Sequence, residues 1–137
     1  MPEVFLDTAY AIALSSSSDR YHGRAVELAE RLETSAARMV TTQAVLLEIG
    51  NALSKLRYRP AAVQLLTAIE TDPNVDVVPL TESLYAQAFA LFRARPDKEW
   101  GLIDCVSFVV MSQRGIVNAL TTDEHFQQMG FRALLRD

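Results

Sequence analysis

Four acidic residues, Asp7, Glu48, Asp104 and Asp123, stand where a solvated carboxylate is not expected. Asp7 closes the apolar run Val4-Phe5-Leu6, Glu48 and Asp104 lie inside apolar helical segments, and Asp123 follows a second short apolar run, Ala119-Leu120. Gathering several carboxylates in one apolar core costs many kcal/mol through desolvation and mutual repulsion unless a divalent cation neutralises them. They are oxygen donors with no accompanying Cys–His cluster, which selects a hard ion such as Mg²⁺ or Mn²⁺ over zinc. Such an ion activates water and stabilises the charge that develops in phosphodiester hydrolysis.

Singly, each acid also has a plain structural use. Asp7 serves as a helix N-cap, Asp104 complements a helix dipole, Asp123 caps the turn that follows it, and Glu48 is half exposed. Capping does not account for Glu48 in mid-helix. Stability does not require the two strand-end acids to share an edge with the other two, so the set reads as a site.

The elements that must position these residues alternate between strands and helices. Val4-Phe5-Leu6 suits a strand covered on both faces, and it leads into a helical stretch from Thr8 to Leu14. The polar loop Ser15 to Asp19 can cap a helix over Arg24 to Leu32, where Ala25, Leu28, Ala29 and Leu32 recur at helical spacing. Met39-Val40 reads as a second strand. From Thr42, the stripe Val45, Ile49, Ala52, Leu53 and Leu56 predicts a helix ending near Pro60, with another over Ala61 to Ile69. Val75 to Val78 is a third strand, and Thr81 caps a helix over Leu84 to Phe92. Leu102 to Gln113 is apolar nearly all round, which makes it a central helix, and Gly115 stops it. Ala119 to Thr121 and Ala133 to Leu135 supply two last strands around a helical turn at Glu124 to Met129. This alternation implies an α/β fold, a three-layer α/β/α sandwich with a mainly parallel central sheet. In such sheets the reactive site lies beyond the carboxyl ends of the strands, where Asp7 and Asp123 fall. Glu48 borders the core stripe of its helix, and Asp104 sits in the first turn of the most apolar one.

The 137 residues, half of them apolar, fit one domain spanning residues 1–137. A balance of 13 basic against 17 acidic residues, net −4, disfavours a purely electrostatic nucleic-acid binder. It leaves room for an enzyme whose negative charge is concentrated in a metal site. Cys105 is the single cysteine, so a buried reduced thiol and a cytoplasmic location are expected. Met1-Pro2-Glu3 carries no basic leader, and no stretch approaches the roughly 20 apolar residues of a membrane span, so a soluble, unexported chain is expected.

Asp7-Thr8 after a strand, Glu48 within Leu46-Leu47-Glu48-Ile49-Gly50-Asn51-Ala52-Leu53, Asp104 within Trp100-Gly101-Leu102-Ile103-Asp104-Cys105, and Leu120-Thr121-Thr122-Asp123-Glu124-His125-Phe126 together resemble the PIN domain, and more narrowly a VapC-type toxin. The resemblance runs through essentially the whole chain in order. It implies a Mg²⁺- or Mn²⁺-dependent endoribonuclease, usually a homodimer, held inactive by a VapB-type antitoxin. It also implies that Asp7, Glu48, Asp104 and Asp123 form the catalytic, metal-holding quartet, supported by Thr8 and Thr121. One departure is His125, where many PIN domains carry a further acid, and it puts a second tightly held metal in doubt. His125 either contacts RNA phosphate or lies on the surface of its turn, the latter being favoured.

Other residues carry two readings each. Lys55, Arg57 and Arg59, with Arg93 and Arg95, either bind RNA phosphate or complement helix C-termini. Trp100 either stacks on a base or covers the core beside Asp104. Ser107 shares a helix face with Asp104, though bonding back to its own helix is commoner, and His22 receives no role. The apolar surface for dimer and antitoxin contacts is expected on the helix Ala44 to Leu56 and its neighbour. A haloacid-dehalogenase-type phosphotransferase requires an acid at the position of Ala9, and a receiver domain requires an acidic pair and a late Lys that are missing. A PIN-like domain kept for protein binding, or a PIN nuclease of RNA processing outside a toxin–antitoxin pair, are the remaining alternatives.

Overall fold

A computed structural model describes residues 3–136. Met1, Pro2 and Asp137 lie outside the described residues, and the Met1-Pro2 part of the N-terminal reading lies outside them too. The chain opens with strand β1 (Val4–Leu6), fully buried, and passes through α1 (Thr8–Ser15) and α2 (His22–Ser35) to β2 (Met39–Thr42). Helices α3 (Gln43–Ala52) and α4 (Arg59–Thr71) lead to β3 (Val75–Val78). Then α5 (Glu82–Ala94) and α6 (Leu102–Arg114) return the chain to β4 (Asn118–Leu120), and α7 (Glu124–Gln128) precedes β5 (Arg132–Ala133).

Every strand pairing is parallel, in the order β3-β2-β1-β4-β5, so the expected α/β/α architecture has a sheet that is wholly, not just mainly, parallel. The chain starts at the centre, builds outward through β2 and β3, then crosses back to place β4 on the other side of β1. Phe5 registers with Ala119 and Leu6 with Leu120. The reversal of winding therefore falls between β1 and β4, the place in an open α/β sheet where loops diverge and leave a crevice.

Helix α6 is central, as its apolar composition requires, with Cys105, Val106, Ser107, Phe108, Val110 and Met111 buried. Phe108 meets Trp100 edge-on at 5.2 Å and Phe126 edge-on at 5.0 Å, while Phe126 also packs on Phe5 at 6.3 Å. These rings tie α6, α7 and β1 beneath the ends of the strands. Gly115 ends α6 in the left-handed region at φ +67, as its position predicts.

One helix differs from its prediction. The apolar stripe continues through Leu53 and Leu56, yet α3 ends at Ala52 and residues 53–58 turn away. Pro60 occupies the first turn of α4, where its missing N–H costs nothing, so the break falls well before it. Leu56 is consequently 89% exposed, and Leu47 at 62%, Tyr58 and Val63 extend that apolar surface over α3 and α4.

Candidate functional site

Asp7 leaves β1 in extended conformation at the N-cap position of α1, but its side chain makes no capping bond. Instead the Thr121 hydroxyl, arriving from the end of β4, donates to Asp7 Oδ2 at 2.7 Å. The simple capping role is thereby replaced by a contact between chain segments far apart in sequence. Asp7 is only 6% exposed, and burial pushes its carboxyl from 3.8 up to about 7, with the charges of Glu48 and Asp104 adding to the rise against the opposing Thr121 and Thr8 hydrogen bonds.

Glu48 projects from α3 beside the fully buried Ile49 and accepts a hydrogen bond from the Thr8 hydroxyl. α3 is itself capped by the Thr42 hydroxyl, which accepts from the Val45 N–H at 3.1 Å and fixes where the helix starts relative to β2. Asp104, in the first turn of α6, accepts from the Gly101 N–H at 3.1 Å, so its expected helix-end role is met as well. Burial raises its carboxyl above the ordinary range, opposed by Gly101 and reinforced by the charge of Asp123. Asp123 caps α7 through the His125 N–H at 2.8 Å, while its own N–H donates to the Thr121 hydroxyl at 3.0 Å.

Thr121 thus joins two acids, donating to one side chain and accepting from the backbone of the other. Replacing it by valine leaves the buried Asp7 without its donor and the Asp123 N–H without its acceptor. Unfolding in urea at pH 8 should show a loss of about 1–3 kcal/mol; an unchanged midpoint would mean that water takes over both bonds.

His125 is misjudged by the sequence reading that favours the surface of its turn. Its Nδ1 lies 3.2 Å from Asp104 Oδ2 and 3.3 Å from Asp123 Oδ1, with the side chain 25% exposed. Asp104, Asp123 and His125 each offer a ligand atom within 4.8 Å of the others. The available signal was its place two residues after Asp123: a cap that binds the N–H at that position carries the attached side chain into the site.

Most of the remaining candidates make structural contacts. Trp100 is buried, and its indole N–H donates to Gln128 Oε1 at 2.9 Å, so it covers the core and offers no face to a base. The Ser107 hydroxyl donates back to the Ile103 carbonyl at 3.2 Å. His22 Nδ1 meets the Ala13 carbonyl at 2.8 Å, tying α2 to the end of α1. Arg59 opens α4, contrary to its expected place at a helix C-terminus, and donates to the Ser54 carbonyl at 3.2 and 2.7 Å. Lys55 and Arg57 lie in the exposed turn after α3, with Arg57 stacked 4.7 Å over Tyr58. Arg93 lies over Phe89 at 5.4 Å, and Arg95 pairs with Asp97 at 2.9 Å. Cys105 is a buried thiol, as expected, pushed up to about 11 by burial.

The acids therefore come from the end of β1, from α3, from the start of α6 and from the loop after β4. They are close enough for Asp7 to feel Glu48 and Asp104, and Asp104 to feel Asp123. Carboxylate oxygens with one imidazole are a donor set suited to a divalent cation, which would remove the repulsion they impose on one another.

The sequence model of the PIN domain matches residues 4–132. The 23S rRNA-specific endonuclease VapC20 of Mycobacterium tuberculosis, in strains H37Rv and CDC 1551 / Oshkosh, is 33% identical over 129 residues, covering 93% of this chain and 95% of the relative. The crystal structure of M. tuberculosis VapC20, described as a Sarcin-Ricin loop cleaving toxin, superposes with a TM-score of 0.82 at 31% identity, covering 95% of this chain and 97% of that one. This chain belongs to the PIN-domain family and is a homologue of its VapC toxin endonucleases.

Proposed function

We propose that residues 1–137 form a single PIN-like domain that acts as a Mg²⁺- or Mn²⁺-dependent endoribonuclease toxin, with Asp7, Glu48, Asp104 and Asp123 as its metal-holding residues. The observation that carries this reading is the convergence of these acids at the winding reversal of the sheet in a chain similar to VapC20 along nearly its whole length. The quartet would hold the ion directly or through water. When bound, the ion lowers the pKa of water and offsets charge on the scissile phosphate.

The protein's own groups prepare that chemistry. Thr121 holds the Asp7 carboxyl, Thr8 holds Glu48, and the Gly101 N–H holds Asp104, so the carboxylates are positioned before any ligand arrives. Attack by water in line with the leaving oxygen needs no covalent protein intermediate. The substrate of VapC20 supports ribosomal RNA as the first candidate, and an RNA loop with splayed bases is the form in which sequence is most readily read.

The family supports two partners, a second copy of the chain and a VapB-type antitoxin, acting in the cytoplasm. Exposed Leu47, Leu56, Tyr58 and Val63 agree with an apolar contact surface on α3 and α4. A separate, mostly apolar cavity of about 500 Å³, lined by Tyr10, Leu14, Leu32, Leu65 and Ile69 among others, contains none of the quartet. No helix among the described residues is long and apolar enough to cross a membrane.

Antitoxin-free protein incubated with host ribosomes and total RNA should produce defined new RNA ends in Mn²⁺ or Mg²⁺. EDTA and the Asp104→Asn substitution should each abolish them. Ends within the large-subunit ribosomal RNA would extend the substrate class of VapC20 to this chain. A folded protein that produces no ends under any of these conditions would instead support the protein-binding module.

A further inference from the structure

His125 is not one of the acids, yet its ring faces two of them. Nδ1 is 3.2 Å from Asp104 Oδ2 and 3.3 Å from Asp123 Oδ1, and the backbone N–H of the same residue is fixed on Asp123 Oδ1 at 2.8 Å. The backbone of His125 is therefore anchored by the helix cap, and its ring sits between the two carboxylates. An ion shared by Asp104 and Asp123 would lie within reach of this nitrogen, since a ligand atom from each of the three residues falls within 4.8 Å of the others.

We infer that His125 is a metal ligand, and that its nitrogen donor makes the site prefer a first-row transition ion, Mn²⁺ among them, over Mg²⁺. The inference rests on the metal-dependent reading given above and specifies its ion. Mg²⁺ demands near-ideal octahedral coordination, is served mainly by oxygen and gives up its waters reluctantly, whereas imidazole suits first-row transition ions. An all-carboxylate version of the site would lack that discrimination. A histidine that only orients Asp104 by a hydrogen bond predicts something different, namely an ion surrounded by oxygen alone.

Pulsed electron paramagnetic resonance of the Mn²⁺-loaded protein distinguishes these arrangements, because a directly bound imidazole nitrogen couples to the Mn²⁺ electron spin. The chain has two histidines, so His22→Gln serves as the internal control. The coupling should be present in the unsubstituted protein and in His22→Gln, and absent from His125→Asp and His125→Gln, each checked for its fold by circular dichroism. In calorimetric titrations His125→Gln should weaken Mn²⁺ binding by at least the roughly 10–100-fold that loss of an outer-shell partner costs a metal site. His125→Asp should bind Mn²⁺ without the nitrogen signal and narrow the gap between Mn²⁺ and Mg²⁺ affinities. Mn²⁺ bound to the unsubstituted protein without nitrogen coupling, or a coupling that disappears only in His22→Gln, overturns the inference and leaves the nuclease reading standing. Failure of the folded protein to bind Mn²⁺ at all overturns both.

Discussion

Exchanging Asp7 for asparagine is expected to abolish RNA cleavage and, in the same protein, to stabilise the metal-free fold at pH 8. The two effects share one cause. Asparagine keeps the shape of aspartate, and its amide oxygen still accepts from the Thr121 hydroxyl that lies 2.7 Å from Asp7 Oδ2. What disappears is a charge buried beside Glu48 and Asp104. A carboxyl moved from 3.8 to about 7 by its surroundings corresponds to a gain on neutralisation of up to roughly 4 kcal/mol, at about 1.4 kcal/mol per pH unit. Cleavage should fall at least about a hundredfold, beyond what an outer-shell partner usually contributes. Asp104→Asn should behave in the same direction, since burial also raises that carboxyl and the Gly101 N–H retains an oxygen acceptor. Thermal and urea unfolding alongside cleavage of the same RNA check the pair of effects. Turnover retained by both variants would remove these residues from the chemistry, while lost turnover in a less stable protein would assign them to the fold.

Metal-free protein should also lose stability as pH rises from about 4 to about 7, the reverse of ordinary acid denaturation. Asp7 binds its proton more tightly in the folded state, near 7, than in the unfolded chain, near 3.8. Between those values the folded state carries more protons, so stability falls with increasing pH, by up to about 1.4 kcal/mol per unit for this group. Its contribution is complete below the unfolded value and gone above the folded one. Asp104, raised in the same sense, steepens the trend. A divalent ion held by the proposed site would bind the deprotonated carboxylates and the folded state alone, so added Mn²⁺ should stabilise far more at pH 8 than at pH 5. Urea unfolding across this range, with Mn²⁺ or with EDTA, measures the crossing of the two curves. Stability of the EDTA-treated protein that is flat or rises with pH would show that the acids are better solvated than their burial implies.

Much of this site is legible in the sequence because strand ends and helix starts are local signals. An acid directly after Val4-Phe5-Leu6, another in the first turn of an all-round apolar helix, and a third two residues after a short strand must all fall near one sheet edge once the strands are parallel. Glu48 is legible through its register beside Ile49. Two things are less so. The apolar stripe of α3 runs past the end of the helix because an exposed apolar surface and a buried one have the same periodicity, and Leu56 belongs to the exposed kind. His125 is misjudged because single-residue exposure is weighed without the cap made by Asp123, which anchors the backbone of His125 beside the two carboxylates that its ring meets. Trp100 is left between two roles, since nothing local reveals that Gln128 will meet its indole N–H.

The pairing of Phe5 with Ala119 and Leu6 with Leu120 has a further consequence for the order of events during synthesis. Asp7 is made early, but its Thr121 partner follows it by 114 residues, and contacts of such long sequence separation form late because the intervening chain must first be closed into a loop. A growing chain can build β1, β2 and β3 in turn, and bring Thr8 to Glu48, before Thr121 and Asp123 have been made. The site comes into being only when β4 slots in beside β1. A chain still short of β4 therefore lacks both the Thr121 hydroxyl that holds Asp7 and the acid Asp123, and the four acids cannot yet act together.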